Sequence, residues 1–356
     1  MGGDRRRWSG LRLGVVLPEQ HHEIGRCLLE TFEALGCQVQ SLLPADRSWP
    51  AALDLIVLYG PMRSLAGTLQ RLGGPGAPSR HVAVWYTEPL PPASWPAWGT
   101  ARAADLRRGI DPLLQGRFVS RRLRLLAGRL RCIGEMRWLQ RRHLLELVAV
   151  FTGRHRQLFE TWHLPVSVVP MGHHPRFGTL LASLLDAQRD VDVTFLGSTR
   201  DKRRRQIVSG LQAQFARLGI TFALRDGSPE HGYVFGQERV RLLNRTKIML
   251  NLMRQPWDDP VFRLLLAAPN GAMVLSEPVL DPGPFEPGRH FAEAPLGEMA
   301  SAVQHFLEAG EERAAIAGQA HDYVTGQLTM EQMACRFLHA WHSGQDPQRG
   351  KRGGSR

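Results

Sequence analysis

Lysine is almost missing from this chain. Three of its 45 basic residues are lysines (Lys202, Lys247 and Lys351); the rest are arginines, set against 33 carboxylates for a formal net charge of +12. Charge of this size invites a nucleic-acid or anionic-membrane reading. Arginine in place of lysine is also what a GC-rich genome yields, and the arginines are spread along the chain, so no specific nucleic-acid partner is expected. Cysteine is scarce as well. Cys27, Cys37, Cys132 and Cys335 stand apart without CxxC or metal-like spacing, which argues for reduced thiols and against a structural zinc site. No run of about 18 uncharged apolar residues occurs, so no transmembrane helix is expected. The opening MGGDRRRWSG is basic but lacks the apolar core of a signal peptide, and a cytoplasmic location is expected.

What is present is a globular chain of two-domain length: 356 residues, 43% of them apolar. Short apolar, β-branched runs recur between amphipathic stretches. They fall at 11–17, 37–43, 53–58, 81–86, 147–151 and 166–170 in the first half, and at 191–197, 220–224, 247–253 and 272–276 in the second. Helical spacing appears between them, as at 22–35, 201–217 and 297–309. This alternation predicts an α/β protein with two parallel sheets covered by helices. Pro170, Gly172, Pro175 and Gly178 break regular structure at a junction, predicted as a linker over 171–190. The first domain is expected over 11–170, the second over 191–328, a terminal helix over 329–343 and a basic, disordered tail over 344–356.

Residues 117–142 are dense in arginine, among them Arg121, Arg122, Arg124, Arg129, Arg131, Arg137, Arg141 and Arg142, with apolar residues between. Two readings fit. A basic amphipathic helix can lie on anionic headgroups, or one or two surface helices can pack on the first sheet with their arginines solvated.

Three places carry candidate chemistry. The first is FLGSTRDKRRRQI, where Gly197 and Ser198 end a strand, Ser198 is the expected helix cap, and Asp201 is its capping-box partner. Lys202, Arg203, Arg204 and Arg205 follow at once. Cations there oppose the helix dipole, which makes sense if an anion docks; the alternative is a solvated basic face. The second is NRTKIMLNLMRQPWDDPVFRLLLAAPNG. A strand ends at Asn251–Arg254, and Asp258 or Asp259 either caps the next helix or holds sugar hydroxyls. Arg263 can reach a pyrophosphate or pair with Asp259, and the strand after Asn270–Gly271 ends at Ser276–Glu277. The third is PEQHHEIG, where His22, beside His21 and Glu23, either takes a proton from a hydroxyl or fills a half-exposed cap position. His173 and His174 resemble junction polar groups more than a metal pair, and Glu88 is another possible cleft carboxylate.

These pieces together resemble the GT-B glycosyltransferases, especially the spore-maturation CgeB-like group. The resemblance is carried by VWYTEPLP, VVPMGHHP, VDVTFLGSTRDKRRRQI, LNRTKIMLNL and DDPVFRLLLAAPNGAMVLSEP, followed by EPGRHF and a helical stretch. It covers nearly the whole chain, best over 165–325. It implies two Rossmann-like domains facing across a cleft, with an amino-terminal acceptor domain and a carboxyl-terminal domain for a nucleotide-sugar donor. It also implies a terminal helix that crosses back to the first domain, no metal, and no cofactor beyond the donor. Gly197 and Ser198 match the family's glycine turn, Arg203 or Arg204 its phosphate contact, and Arg263 the arginine of its R-x-x-E pattern. Many members carry two glutamates eight positions apart here. Asp258 occupies the first position and Leu266 the second, where leucine cannot accept a ribose hydrogen bond, so either another residue such as Glu277 takes that role or donor binding is weakened or lost.

The expected activity is therefore transfer of a sugar from a nucleotide-sugar donor to a hydroxyl of a glycan, lipid or protein in cell-surface polysaccharide assembly. Asp258 is expected to hold the sugar, His22 to serve as base, and Gly197, Ser198, Arg203, Arg204, Asn251, Arg263 and Glu277 to bind the donor. The alternative from Leu266 is a non-catalytic scaffold that binds a glycan or protein. Peripheral contact with the inner membrane face through 117–142 is a further expectation.

Overall fold

The computed structural model describes residues 7–20, 22–44, 46, 49, 52–59, 72, 81–88, 90–91, 94–114, 121–182, 189–258 and 261–344, with the side chains of 109–114, 121–129 and 261 outside that description. The chain divides into two compact units, one from Met1–Pro170 with Met330–Arg356, the other Met171–Thr329.

The first unit is a six-stranded sheet in the order β2-β1-β3-β4-β5-β6, from β1 (Arg12–Val16), β2 (Gln38–Leu42), β3 (Leu55–Tyr59), β4 (Val82–Trp85), β5 (Leu145–Val150) and β6 (Val166–Val168). Every pairing is parallel. Parallel strands need both faces covered, and β3, with sequence LIVLY, is buried at all five positions. Helices α1 (Glu23–Ala34), α2 (Ala97–Leu114), α3 (Arg121–Arg141), α4 (Gly153–Thr161) and α10 (Met330–Gly344) belong to this unit. Alternation along β4 divides its side chains between the two faces. Val82 and Val84 join Cys132, Ile133, Met136 and Leu139 of α3 in one core. Trp85 stacks instead on Phe337 of α10, with 4.9 Å between ring centroids, and Phe32 of α1 lies 6.2 Å from the same ring. Burying a phenylalanine in this way contributes roughly 1.5–3 kcal/mol. Trp341 of α10 adds a 2.5 Å hydrogen bond from its indole N–H to Glu146.

The second unit is a five-stranded parallel sheet in the order β11-β10-β9-β7-β8. Its strands are β7 (Val191–Leu196), β8 (Phe222–Arg225), β9 (Thr246–Asn251), β10 (Met273–Ser276) and β11 (Ala292–Glu293). Its helices are α5 (Lys202–Leu218), α6 (Gly236–Arg245), α7 (Val261–Ala267), α8 (Met299–Glu308) and α9 (Gly310–Gly326). Val193 and Phe195 of β7, Ile248 and Leu250 of β9, and Val208, Leu211 and Phe215 of α5 share one core. The fold is thus α/β, with two parallel-sheet domains of the Rossmann-like kind expected.

Within 171–182, part of the predicted linker, Met171, Gly172, His173, Phe177 and Gly178 are buried and Pro175, Arg176, Thr179 and Ala182 are exposed. Phe177 is fully buried, the backbone N–H of His173 donates to the Leu328 carbonyl, and that of Leu181 donates to Asn244. Its proline and glycine breaks shape a turn that the second unit covers with buried side chains. Residues 183–188 and the tail from 345 onward lie outside the described residues. No helix among the described residues is long and apolar enough to cross a membrane.

Candidate active site

In each sheet the strand order reverses once, between β1 and β3 and between β7 and β9. At such a reversal the loops after the two strands part in opposite directions, leaving a crevice at the carboxyl ends where ligands bind. The second crevice is built by the residues after β7, β9 and β10.

Strand β7 runs into Gly197, whose φ of 146° lies in the region that favours glycine. A Cβ there would also come within 2.8 Å of the Arg263 guanidinium, so space and backbone both require glycine. Four residues later Asp201 is the N-cap of α5; its side chain accepts from the backbone N–H of Arg204 at 3.2 Å. This corrects the assignment of Ser198 as the cap. Ser198 instead lies in the turn, where its carbonyl accepts from Arg204 Nη1 at 3.2 Å.

The four cations that open α5 have separate fates. Lys202 and Arg205 are exposed. Arg203 is tied to Glu277 through both carboxylate oxygens and donates to the Met253 carbonyl at 2.8 Å. Arg204 is 3% exposed, and its Nε–H is buried without a hydrogen-bond partner. Burial, followed by the charge of Arg254, pushes its pKa down to about 10.

Arg263, on α7, reaches the same place from the other side. It donates from Nε to the Leu196 carbonyl at 3.1 Å and from Nη1 to Asn251 Oδ1 at 3.0 Å. Asn251 is fully buried and is held in turn by its Nδ2–H bond to Ser276 Oγ at 2.8 Å. The guanidiniums of Arg204 and Arg263 lie 5.7 and 5.4 Å from the centroid of the Phe195 ring. Loss of water, then the charges of Arg204 and Arg254, hold the Arg263 pKa well below the usual guanidinium range. Among the described residues no carboxylate forms an ion pair with Arg204 or Arg263. Two crowded guanidiniums without such a partner favour an arriving anion, because removing one partner of a buried charge pair is what costs most.

Asp258 accepts from the backbone N–H of Gln255 at 3.1 Å and closes the turn Gln255–Asp258. Its charge acts favourably on Arg203, Arg204 and Arg263. Asp259, with its expected pairing to Arg263, lies outside the described residues. Leu266 is buried on α7, and its carbonyl accepts from Asn270 at 2.7 Å. Glu277 is 3% exposed and is occupied by Arg203 and by the Met253 backbone N–H, at 2.6 Å. Gly197, Ser198, Arg203, Arg204, Asn251, Arg263 and Glu277 therefore share one strand edge.

Residues 179–339 match the family model described as "Glycosyl transferase-like". The match spans most of the second unit and the first ten residues of α10. No curated protein matches the chain. Solved structures do, and they share its fold. HepE from Anabaena, crystallised "in complex with UDP and glucose", is 11% identical with a TM-score of 0.57, over 94% of this chain and 100% of that one. AviGT4, a glycosyltransferase involved in avilamycin A biosynthesis, is 11% identical with a TM-score of 0.55, over 93% of this chain and 97% of that one. A glycosyltransferase from Rickettsia africae is 9% identical with a TM-score of 0.54, over 95% and 99%. The fold class is that of GT-B glycosyltransferases, and the arginine cluster lies inside the glycosyl transferase-like domain.

The first unit's reversal carries different chemistry. His22 occupies the N-cap position of α1 but makes no side-chain cap bond. Its Nδ1 pairs instead with the hydroxyl of Tyr59, at the end of β3, and the rings meet edge to face at 5.4 Å. Burial lowers the His22 pKa below its ordinary value. Burial raises the Tyr59 phenol far above its own. Both groups are therefore neutral at neutral pH. His21 lies outside the described residues, and Glu88 sits three residues past β4. His173 Nε2 bonds to the Gly178 carbonyl at 2.9 Å, and His174 Nδ1 accepts from the Arg176 backbone N–H at 3.2 Å. No group of three metal-ligating side chains occurs among the described residues.

Sequence reasoning passed over two participants. Phe195 supports both guanidiniums. Asp226, just past β8, accepts from the Thr199 hydroxyl and from the Ser228 backbone N–H. Arg254, read from the sequence only as a strand end, adds positive charge to both guanidiniums. An aromatic residue two places before the turn glycine was the available signal for the first.

Proposed function

We propose that this chain is a metal-independent glycosyltransferase of the CgeB-like kind, moving a sugar from a nucleoside diphosphate donor to a hydroxyl acceptor. The observation that carries this reading is the Arg204–Arg263 pair at the β7/β9 reversal, crowded on Phe195 and without an ion-paired carboxylate among the described residues. In the reaction the acceptor oxygen bonds to the anomeric carbon, the bond from that carbon to the diphosphate breaks, and the leaving group departs with its electrons. Arg204 and Arg263 neutralise that developing charge, a role a divalent cation fills in other enzymes. The N-cap carboxylate of Asp201 takes the Arg204 N–H, and the two guanidiniums supply the main phosphate contact. Asp258 orients the sugar, and His22, held neutral and bonded to Tyr59, accepts the hydroxyl proton. Glu277 fixes Arg203 and the ends of β9 and β10 around the site. Glycan or cell-surface polysaccharide assembly in the cytoplasm fits such a donor.

UDP appears in the HepE complex, so a uridine nucleotide heads the donor screen. Calorimetry with UDP, GDP, ADP and CMP is expected to give binding for one diphosphate and none for the monophosphate. The second reading, a non-catalytic scaffold that binds a glycan or protein partner, is favoured by Leu266, whose side chain is buried and apolar. No binding of any nucleotide at millimolar concentration would select it.

A further inference from the structure

Residues 97–141 hold eleven arginines against three carboxylates, Asp105, Asp111 and Glu135. Two of those carboxylates are spent inside the helix pair. Asp105 takes Arg137 and Arg141, and Glu135 takes Arg108 at 3.0 Å. Helices α2 and α3 close tightly, because a Cβ at Gly134 would fall 2.4 Å from the Ala104 carbonyl oxygen. Ala101 and Ala104 form the inner face of α2, 8% and 0% exposed.

The outer face of α2 is unlike an ordinary solvated one. Trp98, Arg102 and Leu106 follow at four-residue spacing, so they share one stripe. Trp98 is 69% exposed and Leu106 65%, and the Arg102 guanidinium lies 5.6 Å from the Trp98 ring centroid. Among the described residues of the first unit, Val168, at 41%, is the only other exposed large hydrophobic side chain. Scattered exposed apolar residues need no explanation, but an indole and a leucine aligned with an arginine on a strongly basic helix pair do.

The geometry points to a membrane-surface site: the Trp98–Arg102–Leu106 stripe of α2 docks on an anionic lipid bilayer, with the basic helix pair over the headgroups. The occupant follows from charge and shape together. An indole and an alkyl side chain reach the boundary between headgroups and acyl chains, while guanidiniums meet lipid phosphates. A polyanion in solution would use the arginines and leave Trp98 and Leu106 idle. The expectation of membrane contact through 117–142 is thereby moved onto α2; residues 117–120 and the side chains of 121–129 lie outside the described residues.

The test is sedimentation of the full chain with phosphatidylcholine vesicles, with and without phosphatidylglycerol. Binding is expected only with the anionic lipid and is expected to weaken as salt rises. The double variant Trp98→Ser, Leu106→Ser, both open positions, is expected to lower partition at least about tenfold while its melting temperature stays put. Arg102→Glu is expected to weaken binding in the same direction. No vesicle binding, equal binding to neutral vesicles, or unchanged binding of the double variant would each overturn the proposal. So would vesicle retention that RNA abolishes equally in the wild type and the double variant, because that is a polyanion surface alone.

Discussion

The two sheets reverse their strand order at the same relative place, yet the crevices carry opposite chemistry. After β1 and β3 stand His22 and Tyr59, hydrogen-bonded to each other and neutral. After β7 and β9 stand Arg204 and Arg263, crowded together on Phe195. One topology thus offers one position twice, and a handful of residues past the strand ends decides what it can hold. A neutral imidazole is suited to take a proton, and two under-neutralised guanidiniums are suited to hold a diphosphate.

Glu277→Ala should break the cationic side most severely. It leaves Arg203 without its buried partner and frees the Met253 N–H, so a loss of about 3–5 kcal/mol in chemical denaturation is expected. A loss under 1 kcal/mol would mean that the pair does not organise the site. Arg263→Ala comes next: nucleotide affinity should fall at least about 100-fold by calorimetry. The ligand-free protein should stay folded but lose about 1–3 kcal/mol, because the Leu196 carbonyl and Asn251 Oδ1 are left without their donor. Unchanged affinity would sink the diphosphate assignment.

The neutral side is sharpened by pH. Because burial lowers the His22 pKa, the unfolded chain binds this proton more readily than the folded one. Stability from this residue is therefore complete above the ordinary histidine range near 6.5 and declines as pH falls below it. Transfer rate should decline only further down, as pH falls through the lowered pKa of the folded His22, and His22→Asn should slow it about 100-fold with nucleotide affinity intact. A rate–pH profile identical in wild type and His22→Asn would remove histidine from the chemistry. Tyr59→Phe is the smallest change, worth about 1 kcal/mol of stability from the lost hydrogen bond. It should shift the acid limb of the profile, which a purely structural role would leave in place.

The sheets were readable in the chain because parallel strands buried on both faces must be apolar throughout. Runs such as LDLIVLY and KIMLNLM have no other explanation at that length. The helix start after β7 was less readable. Ser198, Thr199 and Asp201 are all capping residues, and only the backbone path past Gly197 selects Asp201. The fates of Lys202 to Arg205 were hidden for another reason. Burial of a long side chain depends on what stands across the crevice, and the partner that holds Arg203 is 74 positions away at Glu277. Gly197, Asn251 and Arg263 were legible because strand ends and helix starts in this topology face the crevice whatever their partners.

Helix α10 belongs to the first unit although the whole second unit precedes it in the chain. Phe337 fills the place against Trp85 and Phe32. During synthesis the first sheet therefore waits, with those aromatic faces uncovered, while Met171–Thr329 is made and can close on its own core. The segment made later completes the unit made earlier, so the faces of Trp85 and Phe32 that meet Phe337 are covered only once α10 has left the ribosome.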